Sequence, residues 1–139
     1  DVKIDANGRV LVADRGNSRI QVFNNDGELL EIWTHYGKPS GLFIDQNNVL
    51  YAGDGLSGNV RTGEPDNWRS NLGWEKGIRI GSLNTEQAWV THFIPQRDED
   101  VGAYIEFLGV DFAGNIYAGE IARMRLVKFV PFRPPEVLQ

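Results

Sequence analysis

Three acidic residues end similar segments of the chain and could bind a metal ion. Asp14, Asp54 and Glu120 each follow a short run of alternating residues that closes with Ala or Ala-Gly. Carboxylate oxygens at equivalent positions could surround a hard divalent cation such as Ca²⁺. An acid at such a position also commonly accepts hydrogen bonds from backbone N–H groups of the following turn. The pattern favours the turn and leaves the cation site as the alternative.

The two histidines are candidates for chemistry near neutral pH. His35 stands next to Tyr36 in the connection WTHYGKPSG, and either side chain could contact a ligand. His92 stands in a run that alternates like a strand, and we predict that it is structural. The two histidines are 57 residues apart (92 − 35), so they do not form a sequence motif of metal ligands.

A long segment rich in Gly, Asn, Asp and Ser, residues 53–77, separates two predicted strands. It exceeds the ~12–15 residues beyond which irregular connections are uncommon and often functional. Arg61, Trp68 and Trp74 within it could form a lid that stacks on a ligand and binds an anion. Alternatively, the Trp side chains fold back and cover the adjacent structural unit of the chain. The sequence leaves both interpretations open.

A repeat supplies the elements that position these residues. The segments IDANGRVLVAD, IDQNNVLYAGD and VDFAGNIYAGE begin at residues 4, 44 and 110, which are 40 (44 − 4) and 66 (110 − 44) residues apart. Each joins an apolar-Asp pair, a Gly or Asn turn and an alternating run, which is the pattern of a β-hairpin. Further alternating runs follow the hairpins, and four strands in about 40 residues are typical of a propeller blade.

This spacing predicts an all-β propeller with about three four-stranded blades in the chain. Blade one covers residues 1–37, blade two covers residues 38–100 with its long loop at 53–77, and blade three covers residues 101–139. Blade three is predicted without a fourth strand, because its tail carries three Pro residues between 131 and 139, and Pro is confined to strand edges.

The segments ADRGNSRIQVF and NDG, followed by a strand that ends in Trp, resemble the NHL repeat, which builds six-bladed propellers. The segments SNLGWEKGIRIG, VTHFIP and GVDFAGNIYAGE are similar to bacterial proteins labelled peptidyl-α-hydroxyglycine α-amidating lyase-like. The resemblance extends over nearly the whole chain. It implies that the chain is the C-terminal half of a six-bladed ring, with more blades before Asp1.

By this resemblance, the amidating lyases hold a zinc ion in the central channel with histidines at the starts of innermost strands. The matching positions of this chain are Ser40 and Glu106. A catalytic zinc takes about three protein ligands, and one serine with one glutamate does not supply them. Ser40 and Glu106 are therefore expected either to bind a ligand in the channel or to line a wet channel without a specific role.

Two classes of function follow. In the first, the propeller is a binding or scaffold domain for a small molecule or peptide at the central channel. In the second, it is an enzyme, a metal-dependent lyase or hydrolase like the amidating lyases, with a divalent ion, Ca²⁺ or Zn²⁺, in the channel. The first is preferred because the expected histidines are replaced. The ligand-binding candidates are Ser40, Glu106, His35, Tyr36, Arg61, Trp68 and Trp74, and the weak metal candidates are Glu106, Asp14, Asp54 and Glu120.

Composition excludes several partners and sites. The 139 residues include 14 Lys and Arg against 19 Asp and Glu, a net charge of −5, which argues against nucleic acid and anionic membranes. Basic residues of the outer strands, such as Arg79, are predicted to be solvated. No Cys is present, so disulfides and thiolate metal sites are excluded. The apolar runs are too short for a membrane span. We expect a soluble bacterial protein, cytoplasmic or periplasmic/secreted.

An arc of three blades leaves the outward faces of its two terminal blades uncovered. Each of these faces would expose a larger apolar patch than monomeric proteins usually tolerate. A second copy could cover both faces, and we therefore expect a homodimer that completes a ring of 3 + 3 blades.

Overall fold

The computed structural model describes residues 1–58, 74–96, 105–121 and 123–131. This part of the chain forms strands, with one single-turn 3₁₀ helix at Arg15–Asn17. Within these residues, no helix has the length and apolar character that crossing a bilayer requires. The strands are β1 (Val2–Ile4), β2 (Val10–Asp14), β3 (Arg19–Phe23), β4 (Leu29–Trp33), β5 (Pro39–Ile44), β6 (Val49–Asp54), β7 (Gly77–Ser82), β8 (Val90–Pro95), β9 (Ile105–Val110), β10 (Ile116–Glu120) and β11 (Arg125–Phe129).

The strands form three antiparallel sheets, which are the blades of a propeller. Blade one is ordered β1-β2-β3-β4, blade two β5-β6-β7-β8, and blade three β9-β10-β11 within the described residues. Every neighbour in each sheet is also the neighbour in sequence, as expected for meanders joined by short turns. The all-β, partial-propeller fold predicted from the repeat is confirmed.

An Asp residue that recurs in each repeat stabilises the turn of the first hairpin in each blade. The Oδ1 atoms of Asp5, Asp45 and Asp111 accept hydrogen bonds of 2.8 to 2.9 Å from the backbone N–H groups two and four residues later. Gly8 and Gly114, or Asn48 in blade two, supply the positive φ that the turn requires. The carboxylate thus satisfies turn donors that the first two strands of each blade leave unpaired.

Two apolar clusters join the blades. The first lies between blades one and two, and the second lies between blades two and three. The buried members of the first are Leu11, Ile20, Val22, Trp33, Tyr36, Leu42, Leu50, Ala52, Leu83 and Ala88. Those of the second are Ile78, Ile105, Ile116 and Ala118. Sheet-on-sheet packing of these residues fixes the order of the blades.

A glycine brings the first strands of blades two and three into direct backbone contact. A Cβ atom added to Gly41 would lie 2.7 Å from the Cα of Phe107 and 2.8 Å from the carbonyl oxygen of Glu106. Only glycine permits this approach, since any side chain at position 41 would overlap the backbone of β9. The contact sets the neighbouring Ser40 beside the start of β9.

The long connection in blade two is shorter than the sequence predicted. Gly53 and Asp54 belong to β6, and Gly77 is the first residue of β7, because the ladder between the two strands continues to the pair Asp54 and Gly77. The prediction of a loop over 53–77 is therefore wrong at both ends. Residues 59–73, which include the predicted lid residues Arg61 and Trp68, lie outside the described residues, as do residues 132–139 of the tail.

Arg79 is buried, in contrast to the prediction that it is solvated. Only 5% of this residue is exposed. Its Nη1 donates to Asp54 Oδ2 at 2.9 Å, and its guanidinium lies 5.0 Å from the Trp74 ring and 4.8 Å from the Phe93 ring. Strand alternation did not show that an acid and two aromatic rings would surround this position.

Candidate functional site

Arg15 links the three blades at one end of the molecule. Its Nη1 donates to Oε2 of Glu106 at 2.8 Å and to Oγ of Ser40 at 3.3 Å. Arg15 follows β2 in blade one, Ser40 lies in β5 of blade two, and Glu106 lies in β9 of blade three. We refer to these three residues as the inter-blade cluster. The structure therefore brings together two of the residues that the sequence selected, around a third that it did not.

The positions of the cluster follow from the fold. Ser40 and Glu106 are each the second residue of the first strand of their blade. The close approach at Gly41 holds these two strand ends together. Arg15 begins the 3₁₀ turn directly after β2, at the end of blade one that faces them. Rigid strands thus carry two of the members, which favours a fixed geometry over a mobile surface pair.

The cluster is accessible to a ligand. The side chains of Arg15 and Glu106 are 36% and 25% exposed. Within the described part of the chain, both hydrogen bonds of the guanidinium leave from Nη1. Arginine carries five N–H donors in a planar fork that matches carboxylate and phosphate oxygens. Nε and Nη2 of Arg15 are therefore available for an anionic group.

A second cation lies close to Arg15. The pKa of Lys38 is lowered from its usual value because burial disfavours its charge, and the charge of Arg15 lowers it further, while Asp54 acts in the opposite direction. Arg15 and Lys38 therefore lie close enough for their charges to interact, and the carboxylate of Asp54 interacts with Lys38 more strongly than Arg15 does.

The acid at the end of β6 has a structural role. Asp54 is fully buried, and its Oδ1 accepts hydrogen bonds from the backbone N–H groups of Leu56 and Ser57 at 3.1 and 2.9 Å. Its Oδ2 accepts from the N–H of Lys38 at 3.0 Å and from Arg79 at 2.9 Å. The carboxylate therefore has four donors, as the turn interpretation predicted, and no lone pair is left for a metal.

The two equivalent acids are bound by arginines of their own blades. Asp14 accepts hydrogen bonds from Asn17 and from Arg19 at 2.7 Å, and Glu120 accepts from Arg125 and from the amide of Gln96. In the described ranges, no group of three or more His, Cys, Asp or Glu side chains is placed to hold a metal ion.

His35 and Tyr36 take part in aromatic packing away from the cluster. The His35 ring lies 4.8 Å from Trp89 and 4.9 Å from Tyr36. Tyr36 is fully buried, and its hydroxyl donates to the carbonyl of Ala88 at 2.5 Å. Burial raises the pKa of Tyr36 above its usual value. Both residues thus fasten the end of blade one to the β7–β8 connection of blade two.

The remaining predicted residues are separate from the inter-blade cluster. Trp74 stacks on the guanidinium of Arg79, so its ring covers a buried ion pair of its own blade. His92 lies exposed in β8, with Nδ1 3.0 Å from the hydroxyl of Thr91. Arg61 and Trp68 lie outside the described residues.

Arg15 was missed because sequence reasoning treated the residue after each acid as part of a turn. Comparison of the repeats contains a signal that could have identified it. The residue after the acid is Arg15 in blade one, Gly55 in blade two and Ile121 in blade three. The other two blades form without a charged residue at this position, so the fold does not require one. A charge that occurs in one blade is therefore a candidate for a functional role.

Two comparisons with known proteins bear on the first blade. A family model described as "NHL repeat" matches residues 1–23, a range that includes Arg15. "NHL repeat-containing protein 3" of Homo sapiens is 60% identical over 35 residues, which are 24% of this chain. The aligned part is 10% of the length of that relative, so it concerns about one blade. Residues 1–23 are therefore similar to an NHL repeat, and they lie within an all-β partial propeller of three blades among the described residues.

Proposed function

We propose that this propeller is a binding domain that holds a small molecule or peptide through an anionic group at the inter-blade cluster. The observation that supports the proposal is the position of Arg15. One nitrogen of its guanidinium is bound to Ser40 and Glu106, and the hydrogen bonds of the described residues leave its Nε and Nη2 donors unused. An arginine held in this way needs to lose little side-chain freedom on binding an anion.

The composition of the cluster favours a carboxylate or phosphate as the bound group. A carboxylate can accept two parallel hydrogen bonds from one guanidinium, and such bonds are shorter and stronger than neutral ones. The Ser40 hydroxyl, which accepts from Arg15, can donate its own proton to a ligand oxygen. Glu106, which is bound to Nη1 of Arg15, would repel an anionic group that approached from that side, so it restricts the direction of binding.

The residues present do not fit a zinc site of the kind that the amidating-lyase resemblance implies. Among the described residues, the cluster offers one carboxylate and one hydroxyl, and the carboxylate is bound to Arg15. A catalytic zinc takes about three N, S or O ligands from the protein, and a guanidinium 2.8 Å from one ligand oxygen competes with the metal for it. We therefore prefer binding to metal-dependent lysis or hydrolysis.

Calorimetric titration tests the proposal. The probes are the tripeptide Ala-Ala-Ala with a free C-terminal carboxylate, the same tripeptide with a C-terminal amide, and inorganic phosphate. We expect the free carboxylate or phosphate to bind and the amide to bind at least about tenfold more weakly, since each 1.4 kcal/mol is a factor of ten.

Two variants assign the binding to the cluster. Arg15→Gln should abolish the preference for the anionic probes. Lys128→Gln removes an exposed cation from β11 of blade three and is the matched control, which should bind like the unchanged protein. Equal binding of acid and amide, or equal loss in both variants, would overturn the proposal.

A further inference from the structure

A cavity of about 410 Å³ lies between the first hairpin turns of blades two and three. Its apolar lining includes Phe43 and Ile44 of β5, Tyr51 of β6, Val110 at the end of β9 and Phe112 in the turn after it. The rings of Phe43 and Tyr51 lie 6.3 Å apart in an edge-to-face arrangement, and Phe112 is 95% exposed, so a ligand could cover its ring. The cavity lies at the opposite ends of β5 and β9 from the inter-blade cluster. Its size and aromatic lining are those of a small-molecule site.

An asparagine closes the corresponding gap between blades one and two. Oδ1 of Asn48, in the turn of blade two, accepts a hydrogen bond from the N–H of Ala6, in the turn of blade one, at 3.1 Å. Gly114 takes the position of Asn48 in blade three, since the repeats are 66 residues apart (114 − 48). Among the described residues, a Cβ atom added to Gly114 would meet only Cγ of Pro131, at 3.5 Å. The cavity therefore remains open where a side chain joins the other pair of turns.

The turn acids of blades one and three each receive a strong side-chain donor. In blade one, Oδ2 of Asp5 accepts a hydrogen bond from Nε of Arg9 at 2.8 Å. In blade three, Oδ2 of Asp111 accepts one from Nδ2 of Asn115 at 2.7 Å. In both blades the donor stands four positions after the acid, so the second carboxylate oxygen is bound within its own turn.

The turn acid of blade two lacks this donor. The residue four positions after Asp45 is Val49, whose side chain has no N–H or O–H group. Among the described residues, Oδ2 of Asp45 accepts only a long hydrogen bond of 3.4 Å, from the hydroxyl of Tyr51. Burial raises the pKa of Tyr51 and the charge of Asp45 raises it further, so this hydroxyl stays protonated. Asp45 also lines the cavity, where its carboxylate can accept a further, stronger donor.

We propose that this cavity binds an organic cation in which a primary ammonium group is carried on an apolar body. The ammonium group would donate to Asp45, and hydrogen bonds between charged groups are stronger than neutral ones. The rings of Phe43 and Tyr51 would contact the apolar body, and aromatic faces also attract cations. Within the described part of the chain, the lining of the cavity contains no Lys or Arg that would repel the ligand. The net charge of the chain, −5, favours the same ligand charge.

Three probes of similar size and different charge test the proposal: 2-phenylethylammonium, 2-phenylethanol and phenylacetate. Titrations are followed by NMR of the backbone amides. We expect the ammonium probe to give saturable shifts in the turns at residues 45–48 and 111–114. The alcohol should bind there at least about fivefold more weakly, because it lacks the charge, and phenylacetate should not bind there. Absence of binding by the ammonium probe at millimolar concentration, equal binding of the alcohol, or shifts confined to other residues would each overturn the proposal.

Substitutions assign the binding to the carboxylate and to the open space. Asp45→Asn should weaken binding of the ammonium probe at least about fivefold. Val49→Asn supplies the missing donor and keeps the charge, so it should also weaken binding, even if Asp45→Asn fails to fold. Gly114→Asn should weaken binding by filling the cavity, and asparagine tolerates the positive φ of this position.

Asp26→Asn is the matched control, because it removes one carboxylate from an exposed turn of blade one. It should bind the ammonium probe like the unchanged protein. Circular dichroism checks the folding of every variant. Binding that survives both Asp45→Asn and Val49→Asn in folded protein, or a loss in Asp26→Asn as large as theirs, would show that Asp45 does not hold the cation.

Discussion

Nη1 of Arg15 lies 2.8 Å from Oε2 of Glu106, so a residue of blade one is bound to a residue of blade three, 91 positions away along the chain. The same nitrogen contacts Ser40 of blade two. The two hydrogen bonds of this guanidinium therefore form only when all three blades are correctly placed relative to one another. The proposed binding function depends on this relationship, because its anion donors are the ones that these contacts leave available.

The carboxylate of Glu106 competes with an external anion for Arg15. Glu106→Gln should therefore increase the affinity for the carboxylate tripeptide, by a few-fold to about tenfold, since one nearby like charge is removed. The free energy of unfolding should change by less than about 1 kcal/mol, because the ion pair is partly exposed. Calorimetry and urea denaturation measure the two effects. A loss of about 3 kcal/mol would show instead that Glu106 is a structural residue.

Asp54→Asn should destabilise the protein strongly, because Asp54 is the charge partner of the buried Arg79. Removal of one member of a buried pair costs about 3–5 kcal/mol. Asp14→Asn is the matched control, since Asp14 and its partner Arg19 are 21% and 31% exposed, and it should cost about 1 kcal/mol or less. Urea denaturation should separate the two variants clearly. Similar losses of unfolding free energy in both variants would contradict the conclusion that Asp54 stabilises the fold as the buried partner of Arg79.

Gly41→Ala should both destabilise the fold and weaken anion binding. The added Cβ would lie 2.7 Å from the Cα of Phe107, so β5 and β9 must separate. Overpacking of this kind costs about 1–3 kcal/mol, and the separation would move Ser40 away from Glu106. Gly109→Ala in β9 is the control, because its Cβ would meet nothing within 4 Å. Thermal unfolding and calorimetry of the two variants test the prediction, and equal behaviour would contradict it.

Acid should weaken the fold through Asp111. Its side-chain hydrogen bond from Asn115, with further hydrogen bonds from Tyr117 and from the N–H groups of Asn115 and Ala113, lowers its pKa from 3.8 to about 2, against an opposing effect of desolvation. A lowered pKa in the folded state means that the ionised form contributes stability above pH 3.8, and that this contribution is lost as the pH falls towards about 2.

Asp111→Asn should therefore reduce the dependence of the unfolding midpoint on pH in the range between about 4 and about 2. The measurement is urea denaturation at a series of pH values. Asp26→Asn, at an exposed residue of the turn before β4, provides the control and should keep the dependence of the unchanged protein. An unaltered pH profile in Asp111→Asn would show that the hairpin turn does not depend on the charge.

The fold was predictable because short segments of the sequence define its strands and turns. Each hairpin requires an Asp, a residue that tolerates positive φ, and alternating apolar residues, and these recur at 5, 45 and 111 in the sequence. Turn chemistry and side-chain alternation act over a few residues, so a single repeat contains enough information to define its strands. The ends of the long loop were wrong because ladder pairing between β6 and β7 extends past the point where the apolar pattern stops.

The sequence by itself determined the blades, and its resemblance to the amidating lyases selected Ser40 and Glu106. Only the tertiary structure showed that Arg15 joins them, that Arg79 is buried between Asp54 and two aromatic rings, and that His35 and Tyr36 pack against Ala88 and Trp89. The physical reason is distance along the chain. The hydrogen bonds of Arg15, Arg79 and Tyr36 to side chains or carbonyls of other elements link residues 25 to 91 positions apart, so they depend on how strands pair and sheets stack, which no local pattern encodes.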